Sequence, residues 1–256
     1  MQESLEWLPD GEPYSPRYGD VYHSRAGALA QARAVFLGGC GLPAGWQERA
    51  DWRVLETGFG LGLNFLATWA TWTERRQGNA QQGGTLHFVS IEAHPVCAQD
   101  LLRGVQALQA LQASDAADAA LLPRVQALAE PLALAWADLR PGLQEWLFDD
   151  GRVRLTLAVG DVLDLLPVLP GQLDSVDAVY LDGFSPARNP AMWSTEVMQG
   201  VARLCRPGTR LASWCVAGEV RARLQQAGFE VHKRPGLAPK RHRLEARYLG
   251  GTGGLA

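Results

Sequence analysis

The sequence has little of several features that would each point to a class of protein. Its four cysteines form no C-x-x-C pair and its five histidines form no H-E-x-x-H pattern, which argues against a disulfide framework and a metal site. The N-terminal stretch lacks the basic and apolar regions of a secretory signal, and no run approaches the roughly 18 apolar residues that span a bilayer. We therefore expect a cytoplasmic protein with reduced thiols, no membrane segment and no metal.

Lysine is scarce, and positive charge is unevenly spread along the chain. The chain of 256 residues carries a net charge of −3, which argues against wholesale coating of nucleic acid. From Val201 onward, however, eleven Lys and Arg stand against three Asp and Glu, and the only two lysines, Lys233 and Lys240, lie in "HKRPGLAPKRHR". Such a segment is typical either of a local phosphate-binding surface or of an ordinary solvated face, and the sequence leaves both interpretations open.

Apolar runs alternate with helical patterns along most of the chain. Predicted strands cover 52–57, 86–93, 176–184, 209–216, 229–234 and 243–249. Predicted helices cover 63–76, 96–114, 121–139, 194–205 and 218–228, the third of them interrupted by its proline. Residues 143–161 predict a hairpin with a type I′ turn at Asp150-Gly151. This order predicts an α/β fold with a mostly parallel, Rossmann-like sheet and a C-terminal antiparallel hairpin.

The same pattern suggests the domain boundaries. Residues 1–50 hold several turn signals and one helical pattern, so we interpret them as an N-terminal extension packed on the domain. The domain itself is expected to cover 51–249, and the glycine-rich end, 250–256, is expected to be a disordered tail.

Three glycines follow the first predicted strand of the domain, in "LETGFGLGLNFL" (55–66). Their spacing is G-x-G-x-G, and Leu63 stands where a dinucleotide fingerprint would have its third glycine. The pattern therefore favours a nucleoside with an amino-acid moiety over a pyrophosphate, and Leu63 counts against a rival interpretation as an NAD-dependent oxidoreductase. Taken alone, the glycines are also compatible with a purely structural turn.

Carboxylates at successive strand ends indicate which nucleoside is bound. Glu92 ends the second strand, where a carboxylate accepts from ribose hydroxyls, and Asp161 ends the next one, where it can accept from an adenine amino group. Glu56 lies near the place where a positive sulfonium would sit, and a cofactor without phosphates suits the loop, so we expect S-adenosylmethionine. The predicted cofactor-binding residues are Glu56, Gly58, Phe59, Gly60, Gly62, Asn64, Glu92 and Asp161.

A fourth strand end carries a further acid, in "YLDGFSPARNPAMW" (180–193). Asp182 is expected to face the same crevice, because the carboxyl ends of parallel strands share one edge of the sheet. The loop behind it has two prolines and an aromatic residue, which make it stiff enough to hold a substrate. A capping role for Asp182 is the alternative at this point.

Several of these stretches resemble one known family. "ETGFGLGLNFL", the "GD" at 160–161, "LDGFSPARNPAMW" and the lead-in "GEPYSPRYGDVYHS" (11–24) look like the methyltransferase domain of MnmC, the tRNA 5-methylaminomethyl-2-thiouridine biosynthesis family, over about residues 5–249. The resemblance implies a class I methyltransferase fold, S-adenosylmethionine as cofactor and methylation of the aminomethyl nitrogen on a wobble uridine of tRNA.

The chain also departs from the family pattern. Leu61 stands where the glycine loop usually has a small polar residue, and Ala238 stands where a glycine is usual. Better-known members of the family continue into a flavin-dependent oxidoreductase domain, whereas this chain ends at Ala256. We therefore expect the stand-alone methyltransferase form, whose substrate other enzymes supply.

The resemblance also implies roles for substrate-side residues. Asp182 is expected to orient the acceptor amine and take its proton. The aromatic rings are expected to contact the uracil, and the basic segment, including Lys233 and Arg234, is expected to contact phosphates of the anticodon stem-loop. The predicted substrate-binding residues are Tyr22, Phe184, Pro186, Trp193, Lys240 and Arg241. Methylation of a small molecule or a protein, and a module that only binds the cofactor or a partner, are the alternatives.

Overall fold

The computed structural model describes residues 2–23, 27–77, 84–108, 116–171, 173–237 and 240–250. The strands in these ranges are β1 Glu6–Trp7, β2 Pro13–Ser15, β3 Asp20–Val21, β4 Trp52–Thr57, β5 Leu86–Glu92, β6 Gly142–Phe148, β7 Val153–Val159, β8 Val176–Leu181, β9 Cys205–Ser213, β10 Phe229–Pro235 and β11 His242–Tyr248. The α-helices are α1 Ala28–Gln31, α2 Leu63–Gln77, α3 Ala98–Ala107, α4 Ala116–Ala135, α5 Val162–Leu165, α6 Thr195–Leu204 and α7 Gly218–Gln226, and a π-helical stretch, Ala32–Leu37, continues α1.

Eight strands form one sheet in the order β10-β11-β9-β8-β4-β5-β7-β6. The five central strands are parallel, whereas β6 is antiparallel to β7, and β11 is antiparallel to both β9 and β10. The predicted α/β fold with a C-terminal antiparallel hairpin is therefore confirmed. Strand order reverses at β4, because β5 lies on one side of it and β8 on the other. In such sheets the crevice at the reversal point is where ligands bind.

The central strands are buried on both faces. Val54 and Leu55 are neighbours in β4, yet each packs into a different hydrophobic cluster, one on each face of the sheet. Strand β8 is buried at every position. Continuous apolar runs such as these are typical of parallel strands that helices cover on both sides, which is why the sequence pattern located these strands well.

The hairpin between β6 and β7 has a longer loop than the predicted two-residue turn. Phe148 pairs with Val153, so residues 149–152 form the loop, and the positive φ angles fall on Asp149 (50°), Asp150 (55°) and Gly151 (79°). Two turns overlap there, because the Gly151 N–H donates to the Phe148 carbonyl and the Arg152 N–H donates to the Asp149 carbonyl, both at 3.1 Å, and the predicted turn at Asp150-Gly151 is the second of them. Aspartate tolerates the left-handed region, and the pairing register of the strands decides where the turn is centred.

Helix α4 is continuous where the sequence predicted an interruption. It runs from Ala116 to Ala135 through both Pro123 and Pro131. A proline inside a helix costs about 3 kcal/mol. Leu121, Val125 and Leu132 of this helix are buried against the core, and each buried aliphatic side chain contributes about 1.5–3 kcal/mol. Tertiary packing therefore outweighs the local cost of the prolines.

Residues before β4 form a segment that lies against the sheet. Strands β1, β2 and β3 make a small antiparallel sheet, and Phe36 and Trp46 of the following segment are buried in the core. Glu3 pairs with Arg17 at 2.8 Å, and the Glu3 backbone N–H donates to the Pro95 carbonyl just after β5. This N-terminal segment therefore reaches the edge of the sheet where β5 ends.

The structure bears only in part on two sequence-based expectations, the disordered tail and the absence of a membrane segment. The predicted tail, 250–256, lies outside the described residues apart from Gly250. No helix within the described ranges is both long and apolar enough to cross a membrane.

Candidate active site

A cavity of about 370 Å³ opens at the carboxyl ends of β4, β5, β7 and β8, a size that suits a small ligand. We call it the strand-end cavity. Loops that follow these four strands line it, and the N-terminal segment covers it from the other side. Among its lining residues are Tyr18, Asp20, Tyr22, Gly58, Phe59, Gly60, Asn64, Glu92, Gly160, Asp161, Asp182, Phe184, Ser185, Trp214 and Lys240.

The glycine loop brings its backbone close to other parts of the chain. Gly58 has a φ of +84°, and a Cβ there would lie 3.2 Å from the Asp182 carbonyl oxygen, so this position keeps the ends of β4 and β8 together. Gly58 and Gly60 line the cavity, as does Phe59. Gly62 does not line it, because it packs against the Phe59 ring, which a Cβ would approach to 2.8 Å. The structure thus gives Gly62 a packing role, and its predicted contact with the ligand stays a prediction.

Glu92 binds the backbone of the glycine loop. Its Oε2 accepts from the Gly60 backbone N–H at 2.9 Å, and its Oε1 accepts from the His94 N–H at 2.8 Å. Burial raises the pKa of Glu92, and these two N–H groups oppose the shift. Each carboxylate oxygen has a second lone pair, so both oxygens can also accept a ligand hydroxyl.

Asp161 lies across the cavity at the end of β7. Its Oδ1 accepts from the Leu163 backbone N–H at 2.8 Å and so caps the short helix α5. Its side chain is exposed and lines the cavity. The helix cap uses only Oδ1, so Oδ2, which has no hydrogen-bond partner within the described residues, can accept from a ligand.

Glu56 lies beneath the glycine loop and outside the cavity. It is fully buried, its Oε2 accepts from the Ser90 hydroxyl at 2.7 Å, and its Oε1 has no hydrogen-bond partner within the described chain. Burial raises the pKa of Glu56 well above its ordinary value and so favours the neutral form. Side chains alternate along β4 and this one points into the core, so the structure does not bring Glu56 to the cavity wall, and its predicted role beside a sulfonium stays a prediction.

Asp182 occupies the centre of a hydrogen-bonded cluster. Its Oδ1 accepts from the Gly183 backbone N–H and from Trp214 Nε1, both at 2.8 Å, and its Oδ2 accepts from Asn64 Nδ2 at 2.9 Å. Burial raises the pKa of Asp182, and these three donors oppose the shift. These hydrogen bonds hold the Asp182 carboxylate in one orientation. Asn64 lines the cavity and also donates to this carboxylate.

Trp214 and Lys240 form a pair that sequence reasoning did not find. Lys240 Nζ lies 3.5 Å from the centroid of the Trp214 ring, a cation–π contact, and both side chains line the cavity. Burial lowers the pKa of Lys240, whereas Asp182 and Asp20 oppose this. Trp214 directly follows β9, so its strand-end position was the available signal.

The position of Lys240 corrects the grouping of the basic segment. Its side chain points into the strand-end cavity, while Arg241 is exposed and does not line the cavity. Lys233 and Arg234 lie in β10, away from the cavity. The structure therefore separates Lys240 from the other three basic residues, and phosphate contact by any of the four stays a prediction.

Aromatic residues of two distant segments meet above the cavity. Tyr18 stacks on Phe184 with ring centroids 4.5 Å apart, and Tyr22 meets Phe184 edge-on at 4.9 Å. Asp20 Oδ2 accepts from the Ser185 hydroxyl at 2.9 Å and ties the N-terminal segment to the loop after β8. Tyr22 and Phe184 were predicted from the sequence, whereas Tyr18 was missed.

Trp193 and Pro186 lie outside this aromatic group. Trp193 is fully buried and its Nε1 donates to the Phe184 carbonyl at 2.8 Å, so it supports the loop from below. The structure therefore does not bring Trp193 to the cavity, and its predicted contact with a substrate base stays a prediction. Pro186 is partly exposed in the same loop and does not line the cavity. Within the described residues, no group of three or more His, Cys, Asp or Glu is placed to hold a metal ion.

Comparisons with known proteins agree with this architecture. Residues 123–248, about half of the chain, match a family model described as S-adenosyl-L-methionine-dependent methyltransferase. A protein from Acidovorax sp. (strain JS42), named tRNA 5-methylaminomethyl-2-thiouridine biosynthesis bifunctional protein MnmC, is 51% identical over 248 residues, which cover 97% of this chain and 36% of that protein. A protein of the same name from Delftia acidovorans is 48% identical over 246 residues, which cover 96% of this chain and 35% of that protein.

A solved structure extends the comparison to the fold. MNMC2 from Aquifex aeolicus superimposes with a TM-score of 0.68 at 20% identity, over 96% of this chain and 70% of that one. The chain spans about a third of the length of the two curated relatives described above. It belongs to the S-adenosyl-L-methionine-dependent methyltransferases and is similar, over nearly its whole length, to a part of MnmC.

Proposed function

We propose that this protein transfers a methyl group from S-adenosylmethionine to the aminomethyl nitrogen of 5-aminomethyl-(2-thio)uridine at the wobble position of tRNA. About 50% identity to proteins named for the biosynthesis of 5-methylaminomethyl-2-thiouridine supports this substrate. The observation that carries the proposal is the oriented carboxylate of Asp182 in the strand-end cavity.

The residues around the cavity fit S-adenosylmethionine. Glu92 offers two oxygens at the end of β5 for the ribose hydroxyls, and Asp161 offers one at the end of β7 for the adenine amino group. Lys240 is the single Lys or Arg among the described residues that line the cavity, so the lining lacks the cationic cluster that a phosphate-bearing cofactor would favour. When bound, this cofactor supplies a methyl group on positively charged sulfur.

Asp182 prepares the acceptor nitrogen for methyl transfer. A primary aminomethyl group is largely protonated at neutral pH, and only its neutral form has the lone pair that attacks a methyl group. The Asp182 carboxylate accepts a hydrogen bond from this ammonium through Oδ2, and then takes its proton. Asn64 and Trp214 hold the carboxylate in place, so no reorientation is needed during the reaction.

Aromatic side chains provide the place for the uracil ring. Tyr22 and Phe184 line the cavity above Asp182, and Tyr18 stacks on Phe184. Stacking of an unstacked base on aromatic rings is the usual way in which proteins bind single-stranded RNA loops. A wobble nucleotide lies in such a loop, so its base can be turned out into the cavity.

A smaller amine is the second candidate acceptor. One observation favours it: the Tyr18 and Phe184 rings are stacked with their centroids 4.5 Å apart, so no base fits between them. A small amine would reach Asp182 without separating these rings, whereas a uracil must either displace Tyr18 or enter beside it.

The deciding experiment is nucleoside mass spectrometry of tRNA. Purified protein is incubated with S-adenosylmethionine and with tRNA from cells that make the 5-aminomethyl but not the 5-methylaminomethyl nucleoside. We expect the 5-aminomethyl nucleoside to disappear as its methylated product accumulates. No methylation of tRNA, together with methylation of free small amines, would overturn the tRNA proposal and leave the second candidate.

A further inference from the structure

A second groove, of about 550 Å³, lies at the opposite end of the sheet from the strand-end cavity. It runs along β9, β11 and β10 on the face that α6 and α7 do not cover. Arg206 lies at the groove end of β9, and Ser213 lies at the cavity end. Arg210, the groove residue of β9 that is nearest to Ser213, is separated from it by roughly 10 Å of strand. Its charged lining consists of Arg49, Arg206, Arg210, Arg247, Asp177, Glu230 and Glu245.

One of the three carboxylates holds two of the four arginines. Asp177 is buried, accepts from Arg49 Nη1 at 2.9 Å and from the Arg53 backbone N–H at 2.8 Å, and also pairs with Arg206. A guanidinium has five N–H donors, so Arg49 and Arg206, which both line the groove, keep donors beyond those that Asp177 accepts.

The other two carboxylates pair with residues along the strands. Glu245 binds Arg243 at 2.7 Å and Arg234 at 3.5 Å, and Glu230 binds His232 at 3.4 Å. The three acids of the groove therefore already have partners, and none of these partners is Arg210 or Arg247.

Arg210 and Arg247 are direct cross-strand neighbours. They stand opposite each other in the antiparallel pair of β9 and β11, both are exposed, and neither forms an ion pair with any described carboxylate. Like charges in this relation destabilise a sheet. The fold therefore places two unpaired like charges on neighbouring strands, and bound anions would reduce the repulsion between them.

Arg210 lies beside a glycine that leaves room for its side chain. Its guanidinium lies across the backbone of Gly41, where φ is +73° and where an added Cβ would collide with it. The planar fork of a guanidinium matches two phosphate oxygens.

We propose that this arginine groove, formed by Arg49, Arg206, Arg210 and Arg247, binds backbone phosphates of the substrate tRNA. The inference rests on the proposed function, since it supplies the RNA. Because the groove begins roughly 10 Å of strand away from the cavity and extends away from it, the phosphates it binds are not those of the wobble nucleotide itself. Binding there is independent of base identity and depends on salt.

The test compares two double variants with equal loss of charge. Arg210→Gln/Arg247→Gln removes the unpaired arginines of the groove. Arg203→Gln/Arg221→Gln removes two exposed arginines from α6 and α7, on the other face of the same strands. The dissociation constant of unmodified tRNA is measured by filter binding at several salt concentrations, alongside the affinity for S-adenosylmethionine.

For the groove variant we expect weaker tRNA binding and a log–log salt slope shallower by about 1.4–1.8, which corresponds to the removal of two phosphate contacts. The control variant should keep the wild-type slope, and cofactor affinity should be unchanged in both. Arg210→Lys/Arg247→Lys should keep the slope, because it retains the charge, and a melting temperature close to wild type checks that the groove variant is folded.

The two proposals fail in different ways. If the wild-type protein methylates tRNA and the groove variant keeps its affinity and salt slope, the groove proposal is overturned while the function stands. The wild-type protein could also bind tRNA without methylating it. If the salt slope of this binding becomes shallower in the groove variant, the groove proposal is supported and the proposed reaction is overturned. If the wild-type protein binds no tRNA, both are overturned.

Discussion

Asp182 and Trp214 are joined by a hydrogen bond of 2.8 Å between the carboxylate Oδ1 and the indole Nε1. The bond links the ends of β8 and β9, which are adjacent parallel strands, and it leaves Oδ2 of the carboxylate directed at Asn64 and the cavity. Because Lys240 covers the face of the same indole ring, one aromatic side chain contacts both the anion and the cation of the site.

Replacing Asp182 by Asn tests its role as a base. The amide keeps the size of the carboxylate but cannot accept a proton, so we expect single-turnover methylation to slow by about 10²–10⁴-fold. Cofactor affinity should stay close to wild type. Raising the pH should partly restore the rate, because more of the acceptor amine is then neutral. A wild-type rate at neutral pH would rule out the catalytic role, and Asp164→Asn in α5 is the matched control.

Trp214→Phe removes one donor from Asp182 while it keeps an aromatic ring beneath Lys240. A carboxylate that loses a hydrogen-bond donor binds its proton more tightly, so the pKa of Asp182 should rise. We therefore expect the acidic limb of the pH–rate profile to move to higher pH, with little change in cofactor affinity. Trp193→Phe is the control for general effects of losing an indole, and an identical shift in that variant would contradict this account.

Glu92→Ala should weaken binding of S-adenosylmethionine by about 1–3 kcal/mol, because it leaves the hydrogen-bond donors of a ribose and of the glycine loop unmatched. Glu92→Gln, which keeps one acceptor oxygen, should lie between Ala and wild type. Isothermal titration calorimetry measures both variants. Wild-type affinity in Glu92→Ala would remove this residue from the cofactor site.

Lys240→Met separates the cavity lysine from the basic residues outside it. Since Nζ lies over Trp214 inside the cavity, the substitution should slow methylation without changing the salt slope of tRNA binding. Neutral replacements of Lys233, Arg234 and Arg241 should instead make the slope shallower by about 0.7–0.9 for each phosphate that is no longer bound. A shallower slope in Lys240→Met would show that this lysine contacts phosphate after all.

Because the pKa of the buried Glu56 is raised, we expect the stability of the protein to depend on pH. Its pKa in the folded protein is well above the ordinary value of 4.5, so the folded state retains a proton that the unfolded chain releases as pH rises above that value. The folded state is therefore progressively disfavoured between the unfolded and the folded pKa of this group. Glu56→Gln has no such proton to retain.

The measurement is urea denaturation of both proteins at pH 5 and pH 8. The difference in unfolding free energy between Glu56→Gln and wild type should shift in favour of the variant at the higher pH. Glu92 and Asp182 titrate in both proteins, so their effects cancel in this difference. A constant difference across the range would mean that Glu56 is already ionised in the folded state.

The sequence by itself determined the elements that local pattern controls. Buried parallel strands are continuous apolar runs, and each ends at a glycine or an acid, so β4, β5 and β8 and the strand-end positions of Glu92, Asp161 and Asp182 could be located from the order of residues alone. The capping of α6 by Ser194 was equally local, since the hydroxyl accepts from Val197, three residues away.

Only the tertiary structure decided which side chains face the cavity. Glu56 and Glu92 look alike at two strand ends, yet burial turns one into a core residue and the other into a wall of the site. The indole that contacts Asp182 is Trp214, 32 residues along the chain, and not Trp193 in the same loop. Tyr18 reaches the cavity only because the N-terminal segment folds over it. Such contacts join segments that are far apart in sequence, so packing across the whole domain determines them and no local pattern encodes them.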